Sequence, residues 1–414
     1  MTTARDERAR RAADAVARQS YGKLVAYLAA RTRDVAAAED ALSEAFAAAL
    51  AEWPLKGCPS NPEAWLLTVA RRRMIDGARH LRVREDAADD VRLIAQSLDE
   101  ADDVAIPDQR LALMFACAHP AIDAAIRAPL MLQTVLGLDA KAIASAFLTS
   151  PDAMGKRLVR AKQKIREAGI PFRIPEREEL PGRLDAVLDA IYAAFAEGWT
   201  DPAGTDAARR DLAEESLFLA RLAVELMPAE PEVLGLLALV LYAESRRRAR
   251  RDAAGEFVPL DAQDPKLWDA AMIEEAETLL RHASTFGRIG RHQLEAALQS
   301  AHVARRRSGR ADWIAVVELY DGLLALTRSP VVAINRALAI AEVQGAHAAL
   351  AALPDASEDE RLGRYQPYWA ARADLLARTG AHADACEAYE LAIGLERDEA
   401  IRRFLQRRRA LLDA

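Results

Sequence analysis

The apolar residues of this chain recur with helical spacing along most of its length. Ala, Leu, Arg and Glu dominate the sequence, and all four favour helices. Runs of alternating Val, Ile and Thr between turn residues, which strands would require, are missing. With 51% hydrophobic residues among 414, the chain can bury a substantial core. The sequence therefore predicts an all-α protein, with a length that suits roughly two to four domains.

The sequence carries no signal for secretion, for a membrane span or for a cofactor. The first residues, "MTTARDERARRAADAVARQS", mix acids with arginines and lack an apolar core. One of the longest uncharged apolar runs, residues 233–243, has about half of the roughly 20 residues that a membrane helix needs. Three scattered cysteines, seven histidines and the absence of a glycine-rich phosphate loop give no metal or nucleotide motif. We expect a cytoplasmic protein that is not an enzyme and needs no cofactor.

The net charge of −7 hides an uneven distribution of charges. Residues 84–108 hold 9 acids and 2 bases, whereas the rest of residues 1–175 holds 24 bases and 14 acids. Residues 176–414 carry a net charge of −10. The first 175 residues are therefore two basic blocks joined by an acidic linker, and basic blocks suggest a polyanionic partner.

In the first block, a loop at residues 58–61 precedes a helix that begins at Pro62, with Asn61 as its N-cap. Apolar residues at three- and four-residue spacing predict one buried face. The arginines Arg71, Arg72, Arg79 and Arg82 are left for solvent or phosphates, and Trp65 lies beside the loop. This pattern suits a solvated arginine face with a core tryptophan. It equally suits single-stranded DNA, whose bases stack on aromatic rings.

In the second block, a short apolar helix is followed by a three-residue break and a second helix. Ser150 is the predicted N-cap and Pro151 the first helical residue. The second helix has an apolar face of Met154, Leu158, Ala161 and Ile165. Its basic residues fall on a different side: Lys156, Arg157, Arg160 and Lys164. This arrangement predicts a helix-turn-helix, with an ordinary helical hairpin as the alternative.

Three motifs follow one another in these blocks: "AEDALSEAF", "NPEAWLLTVARRRMID" and, after the acidic linker, "LVRAKQKIREAGIPF". In this order they resemble the extracytoplasmic-function sigma factors of bacterial RNA polymerase, in the sigma-70 family. The resemblance covers residues of about 20–175. It implies region 2 over residues 1–83, a linker over 84–108 and region 4 with the helix-turn-helix over 109–175. A tetratricopeptide-like domain over 180–414 is similar to the extension of one subgroup.

The resemblance also implies which residues bind. Docking on the β′ clamp helices of core RNA polymerase would involve Glu39, Asp40, Leu42, Glu44 and Phe46, although Ala37 and Ser43 depart from the usual Asp and Gln. Binding and melting of the −10 promoter element would involve Asn61, Trp65, Arg71, Arg72 and Arg79. The −35 element would be read by Ser150, Asp152, Lys156, Arg157, Arg160 and Lys164, and the β flap is a further implied partner. The acidic linker would thread near the active-site channel, or serve only as a solvated tether.

The C-terminal half predicts degenerate tetratricopeptide-like repeats. In "WAARADLLARTGAHADACEAYELAIGL" the template positions are occupied by Trp369, Ala373, Leu376, Gly380, Ala385, Tyr389 and Ala392. A long loop interrupts the repeats, and its five arginines within residues 246–251 are expected at a solvated helix end. His292, Gln293 and His302 are expected to pack or to cap a helix. The acidic charge of this half suits a basic partner, including the chain's own basic blocks.

Three classes of protein fit these patterns. The first is a sigma factor regulated through its own tail. The second is a one-component helix-turn-helix regulator with a tetratricopeptide sensor, and the third is a scaffold whose basic helices are merely solvated. Only the sigma factor requires both a docking helix around residues 39–46 and a melting loop.

Overall fold

The computed structural model describes residues 2–32, 34–82, 109–147, 149–170, 173, 175–176, 178–199, 207–309, 311–357 and 359–412. Within these residues the regular structure is helical, with one isolated β-bridge between Arg251 and Phe257. This confirms the predicted all-α fold. None of the helices in the described part of the chain combines the length and apolar character needed to cross a membrane. The acidic linker predicted at residues 84–108 lies outside the described residues.

The chain divides into two compact units, one of residues 1–200 and 206–219, the other of residues 201–205 and 220–414. The helices of the first unit are α1 (Thr2–Thr32), α2 (Val35–Lys56), α3 (Pro62–Arg82), α4 (Arg110–Cys117), α5 (Ala124–Thr134), α6 (Ala140–Ala146), α7 (Pro151–Glu167), α8 (Pro181–Trp199) and α9 (Ala207–Leu226) up to residue 219. Helices α1, α2 and α3 pack on one another, and α5 packs on α4, α6, α7 and α8. The two groups meet where α1 contacts α4 and α5, and where α2 contacts α7.

The boundary after the second block lies further along the chain than the pattern of residues predicts. Helix α8, which the sequence assigns to the C-terminal domain, packs on α4 and α5 within the first unit. The guanidinium of Arg183 is buried there and donates to the backbone carbonyl of Phe115 at 3.5 Å. In α9, Glu215 pairs with Arg110, whose side chain is 9% exposed. Buried arginines need such partners, so α8 and α9 are part of the first unit's core.

The predicted N-caps of α3 and α7 and the predicted buried face of α7 are confirmed. The backbone N–H of Ala64 donates to Asn61 Oδ1 at 3.1 Å, and that of Ala153 donates to Ser150 Oγ at 3.3 Å. Each bond satisfies one of the unpaired N–H groups at a helix start. The four apolar residues predicted for the buried face of α7 are all buried.

The second unit continues with α10 (Pro231–Ser245), α11 (Ala270–Ser284), α12 (Arg291–Ser308), α13 (Trp313–Thr327), α14 (Pro330–Gln344), α15 (Ala346–Ala352), α16 (Glu360–Gly363), α17 (Gln366–Arg378), α18 (His382–Leu395) and α19 (Glu399–Ala410). Most of these helices pack on their neighbours in sequence. Between α17 and α18, Gly380 has a φ of +82°, and Ala373, Ala385 and Ala392 are fully buried. Small residues at these positions allow the paired helices to approach closely; that the pair is a tetratricopeptide-like repeat stays a prediction.

The expectation that the arginines of the loop after α10 are solvated is wrong for two of them. Arg246 and Arg250 are buried rather than solvated, and burial lowers the pKa of their guanidinium groups to about 10 and about 9. Arg246 donates to the Tyr242 carbonyl at the end of α10 and to Gln299 Oε1 at 2.7 Å. Cations are stabilised at a helix C-terminus, where backbone carbonyls lack partners, and this explains the position of Arg246.

The same loop is attached to the last helix of the chain. Arg251 pairs with Asp398 at the start of α19, and Glu256 accepts from Arg403 at 2.8 Å and from Arg407 at 2.7 Å. The ring of Phe257 packs edge-on against Phe404, with 5.4 Å between their centroids. The loop after α10 is therefore part of the second unit's structure.

A half-buried carboxylate of α10 caps the start of helix α12. The N-cap residue of this helix is Gly290, which has no side chain to accept a hydrogen bond. Instead Glu232 of α10 accepts from the backbone N–H of His292 at 2.9 Å and from that of Gln293 at 3.2 Å. A Cβ on Gly290 would lie 2.2 Å from the carboxyl carbon of Glu232, so a larger residue would require this carboxylate to move away from the helix start. The expectation that His292 and Gln293 cap or pack is confirmed.

His302 of α12 makes the stability of the second unit depend on pH. Burial, with Arg305 and Arg246 nearby, lowers the pKa of His302 to about 4. The unfolded chain binds a proton at this histidine below about pH 6.5, whereas the folded chain does so only near pH 4. We expect about 3 kcal/mol of folding free energy to be lost as the pH falls through this interval. Urea unfolding at several pH values should show this loss of stability in the wild type and not in His302→Gln. The control variant His382→Gln, at an exposed position, should lose stability as the wild type does.

Candidate nucleic-acid interface

Helix α2 combines a buried alanine-rich side with an exposed mixed side. Asp34 caps it by accepting from the backbone N–H of Ala37 at 3.0 Å. Its buried positions recur at three- and four-residue spacing: Val35, Ala38, Leu42, Ala45 and Ala49. Its exposed positions run along the other side: Asp40, Ser43, Glu44, Ala47, Leu50 and Leu55. The exposed side is thus acidic near its start and apolar near its end, where Leu55 is 80% exposed.

The five residues predicted for polymerase docking do not share one environment. Asp40 and Glu44 are exposed, and Glu44 lies 3.3 Å from Arg73. Phe46 is half-buried, whereas Leu42 is fully buried and supports the helix from inside. Glu39 is largely buried and pairs with Lys162 of α7. Asp40, Glu44 and Phe46 are therefore the members of this set that a partner can reach.

The residues predicted for the −10 element also differ in exposure and in partners. Asn61 caps α3, and the half-buried ring of Trp65 packs edge-on against Trp53 with 5.5 Å between their centroids. Arg72 is exposed. Arg71 is not left for solvent as expected, since its guanidinium donates to the hydroxyl of the buried Tyr27 at 2.7 Å. The side chain of Arg79 lies outside the described residues.

Helix α7 presents an open basic stripe. Lys156, Arg160 and Lys164 are exposed, and Arg157 is half-buried beside them. At about 100° per residue, these positions lie on the side of α7 away from its buried face. Ser150 and Asp152 stand at the start of the helix, where Asp152 is exposed. Helices α6 and α7 pack on each other, as the two helices of a helix-turn-helix do.

Sequence reasoning missed several residues of these surfaces. The exposed Leu50 and Leu55 continue the spacing of Asp40, Ser43 and Ala47 along α2, so their position could have been read from the helical period. Tyr27 and Lys162 gave no such signal. Their partners, Arg71 and Glu39, are 44 and 123 residues away along the chain.

Comparisons with known proteins agree with this geometry. A model of sigma-70 region 2 matches residues 16–84, which include α2 and α3. A family of unknown function (DUF6596) matches residues 183–284, from α8 to α11. An uncharacterized protein of Rhizobium meliloti (strain 1021) is 38% identical over 384 residues, which cover 91% of this chain and 89% of the relative. No solved structure matches.

With region 2 at its N-terminus and a relative of matching length, the chain belongs to the sigma-70 family of sigma factors. Its role is in transcription initiation, and region 2 implies that it binds core RNA polymerase and promoter DNA. Sigma-70 factors are not enzymes. The match at residues 183–284 is consistent with an extension of the extracytoplasmic-function type.

Proposed function

We propose that this protein is an extracytoplasmic-function sigma factor that docks on core polymerase through α2 and recognises promoters through α3 and α7. The observation that carries the proposal is the presence, in one compact unit, of an exposed acidic and apolar side on α2 and an exposed basic stripe on α7. The first suits a basic and partly apolar groove, such as the β′ clamp helices offer. The second suits DNA phosphates.

In this proposal, α3 binds the −10 element. The loop before α3, the half-buried Trp65 and the exposed Arg72 supply an aromatic ring and a cation at one end of the first block. A flipped base can stack on such a ring while the arginine neutralises the backbone. Arg71 takes a positioning role instead, because its bond to Tyr27 ties α3 to α1.

The −35 element is assigned to α7. Its first turn, with Ser150 and Asp152, would meet base edges, and its basic stripe would hold phosphates on either side. The β flap of the polymerase is the proposed partner of the second block, as the family resemblance implies.

Run-off transcription tests the proposed function. Purified core polymerase and a linear template with the promoter of a gene that depends on this protein should yield a transcript only when the protein is added. Binding to the promoter without core polymerase, and no effect on run-off, would favour a one-component helix-turn-helix regulator. Neither DNA binding nor transcription would favour a scaffold.

Arg160 is expected to contact a phosphate. Each neutralised phosphate contributes about −0.9 to the slope of log K against log salt concentration. Arg160→Ala should therefore weaken promoter binding by the holoenzyme on all sequences and flatten that slope by about one unit. Arg166→Ala removes the same charge from a different side of α7 and should leave the slope unchanged. An unchanged slope in Arg160→Ala would contradict the assignment to phosphate.

We further propose that the second unit, at the C-terminal end of the chain, tunes the activity of the first unit as a sigma factor. The second unit spans nearly half of the chain and holds 26 bases and 30 acids, a net charge of −4. Tethering gives two parts of one chain an effective concentration in the millimolar range, so that even weak contacts between them are populated.

Removal of the C-terminal unit should change promoter output at least tenfold, which corresponds to about 1.4 kcal/mol. The truncation should end at Leu226, because a chain ending at residue 175 would lose the buried Arg183 and the partner of Arg110. Output is measured by run-off transcription at matched soluble concentration. Equal output from the full and shortened chains would make the second unit a passive appendage.

A further inference from the structure

An open groove with a volume of about 540 Å³ lies between α13 and the start of α12 in the second unit. Its lining contains six residues without a polar side chain and one acid: Ile289, Leu294, Ala315, Leu319, Gly322 and Leu326, with Glu318. Along α13 the lining extends from Ala315 to Leu326, which is about 16 Å at 1.5 Å per residue. Contiguous exposed apolar surface of this kind is typical of an interaction site.

The most exposed apolar residue of the groove is held in place by its neighbours. Ile289 is 74% exposed, and Leu326 across the groove is 56% exposed. The residue before Ile289 makes two contacts: the backbone carbonyl of Arg288 accepts from Gln293 Nε2 at 2.9 Å, and its guanidinium donates to Glu230 at 3.2 Å. The chain therefore fixes an apolar side chain in water at the edge of the groove. Such pre-organisation lowers the cost of binding a partner there.

The lining also contains a glycine that packing within the chain does not require. Gly322 lies inside α13, where glycine weakens a helix relative to alanine. A Cβ at this position would lie 3.4 Å from Leu294 Cδ1, which is an ordinary contact distance. Alanine would therefore fit the fold. What glycine supplies is a place where the backbone of another chain can approach α13 closely.

Glu318 gives the groove a negative charge. The residue is exposed, and no ion pair joins it to another of the described residues. The next acid along α13, Asp321, pairs with Arg336 at 2.5 Å. A carboxylate beside apolar side chains favours a partner that brings a cation together with its own apolar residues, and it repels phosphates. A second copy of this chain fits less well, because two copies that met through this lining would bring acidic surfaces together.

We propose that this groove is a docking site for an amphipathic helix of a partner protein, whose apolar residues pack on Ile289 and Leu326 and whose Lys or Arg pairs with Glu318. The lining residues of α13 recur every three or four positions, and a helix that lies in such a groove presents its anchors at the same spacing. The partner helix would pass closest to α13 at Gly322. All of these residues belong to the second unit, and none is among those proposed to bind polymerase or promoter DNA.

Selection from a phage-displayed library of helical peptides tests the site on the purified full chain. The peptides have about 18 residues, above the length at which isolated helices are marginal, and one side of each is randomised. Peptides are selected on the wild type and depleted on Gly322→Leu, in which a larger side chain fills the groove. The selected peptides should share apolar residues at three- and four-residue spacing and a Lys or Arg on the same side. If no peptide prefers the wild type, or if the shared pattern lacks a basic residue, the proposed occupant is wrong.

Fluorescence anisotropy with one selected peptide measures what each residue contributes. Gly322→Leu should weaken binding at least about tenfold. Glu318→Lys should do the same, because like charges then meet, and replacing the basic residue of the peptide with Glu should restore binding. Ala304→Leu and Glu387→Lys make the same changes at exposed positions of α12 and α18 and should bind as the wild type does. Binding that Glu318→Lys does not change, or that the exchanged charge does not restore, would overturn the pairing.

Two measurements on the free chain separate the site from the fold and from self-association. Gly322→Ala should raise the urea midpoint, since alanine favours a helix, while it weakens binding of the peptide. A lowered midpoint would show that the fold itself needs glycine and would count against the proposal. In analytical ultracentrifugation, a dimer of the wild type that becomes a monomer in Gly322→Leu would make a second copy the occupant and overturn the proposal. If Gly322→Leu loses its circular-dichroism helix signal, Gly322→Ala replaces it throughout.

Discussion

Replacing Glu232 with alanine is expected to destabilise the second unit by about 3–5 kcal/mol. The carboxylate accepts hydrogen bonds from two backbone N–H groups at the start of α12 and from Gln293 Nε2 at 3.2 Å, and it lies 3.1 Å from His292 Nδ1. These bonds outweigh the cost of burial, so that the pKa of Glu232 is lowered to about 2. Removal of the carboxylate leaves several buried donors without an acceptor.

Urea unfolding, followed by hydrogen exchange of the amides of α10 and α12, measures this loss. Glu230→Ala is the matched control, because Glu230 is two residues away and makes only a surface pair with Arg288 at 3.2 Å. Such pairs contribute at most about 1 kcal/mol. Since the folded pKa is below the unfolded value, the stabilisation by Glu232 is complete above about pH 4.5 and is lost as the pH falls towards 2. Equal stability of the two variants would contradict the capping role.

Replacing Asp40 with arginine should weaken binding to core polymerase at least thirtyfold, the equivalent of about 2 kcal/mol. Asp40 is exposed on the side of α2 that we propose for docking, so the reversed charge would meet a basic groove without disturbing the core. Co-purification and titration with labelled core polymerase measure the change. Glu178→Arg makes the same change at an exposed position of the first unit and should bind normally.

Phe46 belongs to the same docking prediction but is a less selective probe. Its ring is half-buried, so Phe46→Ala removes packing as well as a potential anchor. We expect this variant to lose co-purification with core polymerase while its circular-dichroism helix signal is kept. A lost signal would make Phe46 a core residue, and normal binding by Asp40→Arg would move the docking site away from α2.

Sequence alone determined the features that depend on a few neighbouring residues. The all-α fold follows from helical periodicity, and the starts of α3 and α7 follow from Asn61 and Ser150, whose side chains reach an N–H three residues further on. The buried face of α7 follows from the same 3.6-residue period. The order of three such local motifs was sufficient to identify the family.

Only the tertiary structure decided which charged side chains are buried and pair with other residues of the chain. The helical period places Glu39 and Arg71 beside buried faces, and Arg250 follows the end of α10, but neither position says what packs there. In the folded chain their surroundings come from distant segments: Lys162 for Glu39, Tyr27 for Arg71 and the C-terminal Asp398 near Arg250. Pairing across such distances depends on how whole helices pack, and a local pattern of residues carries no information about that.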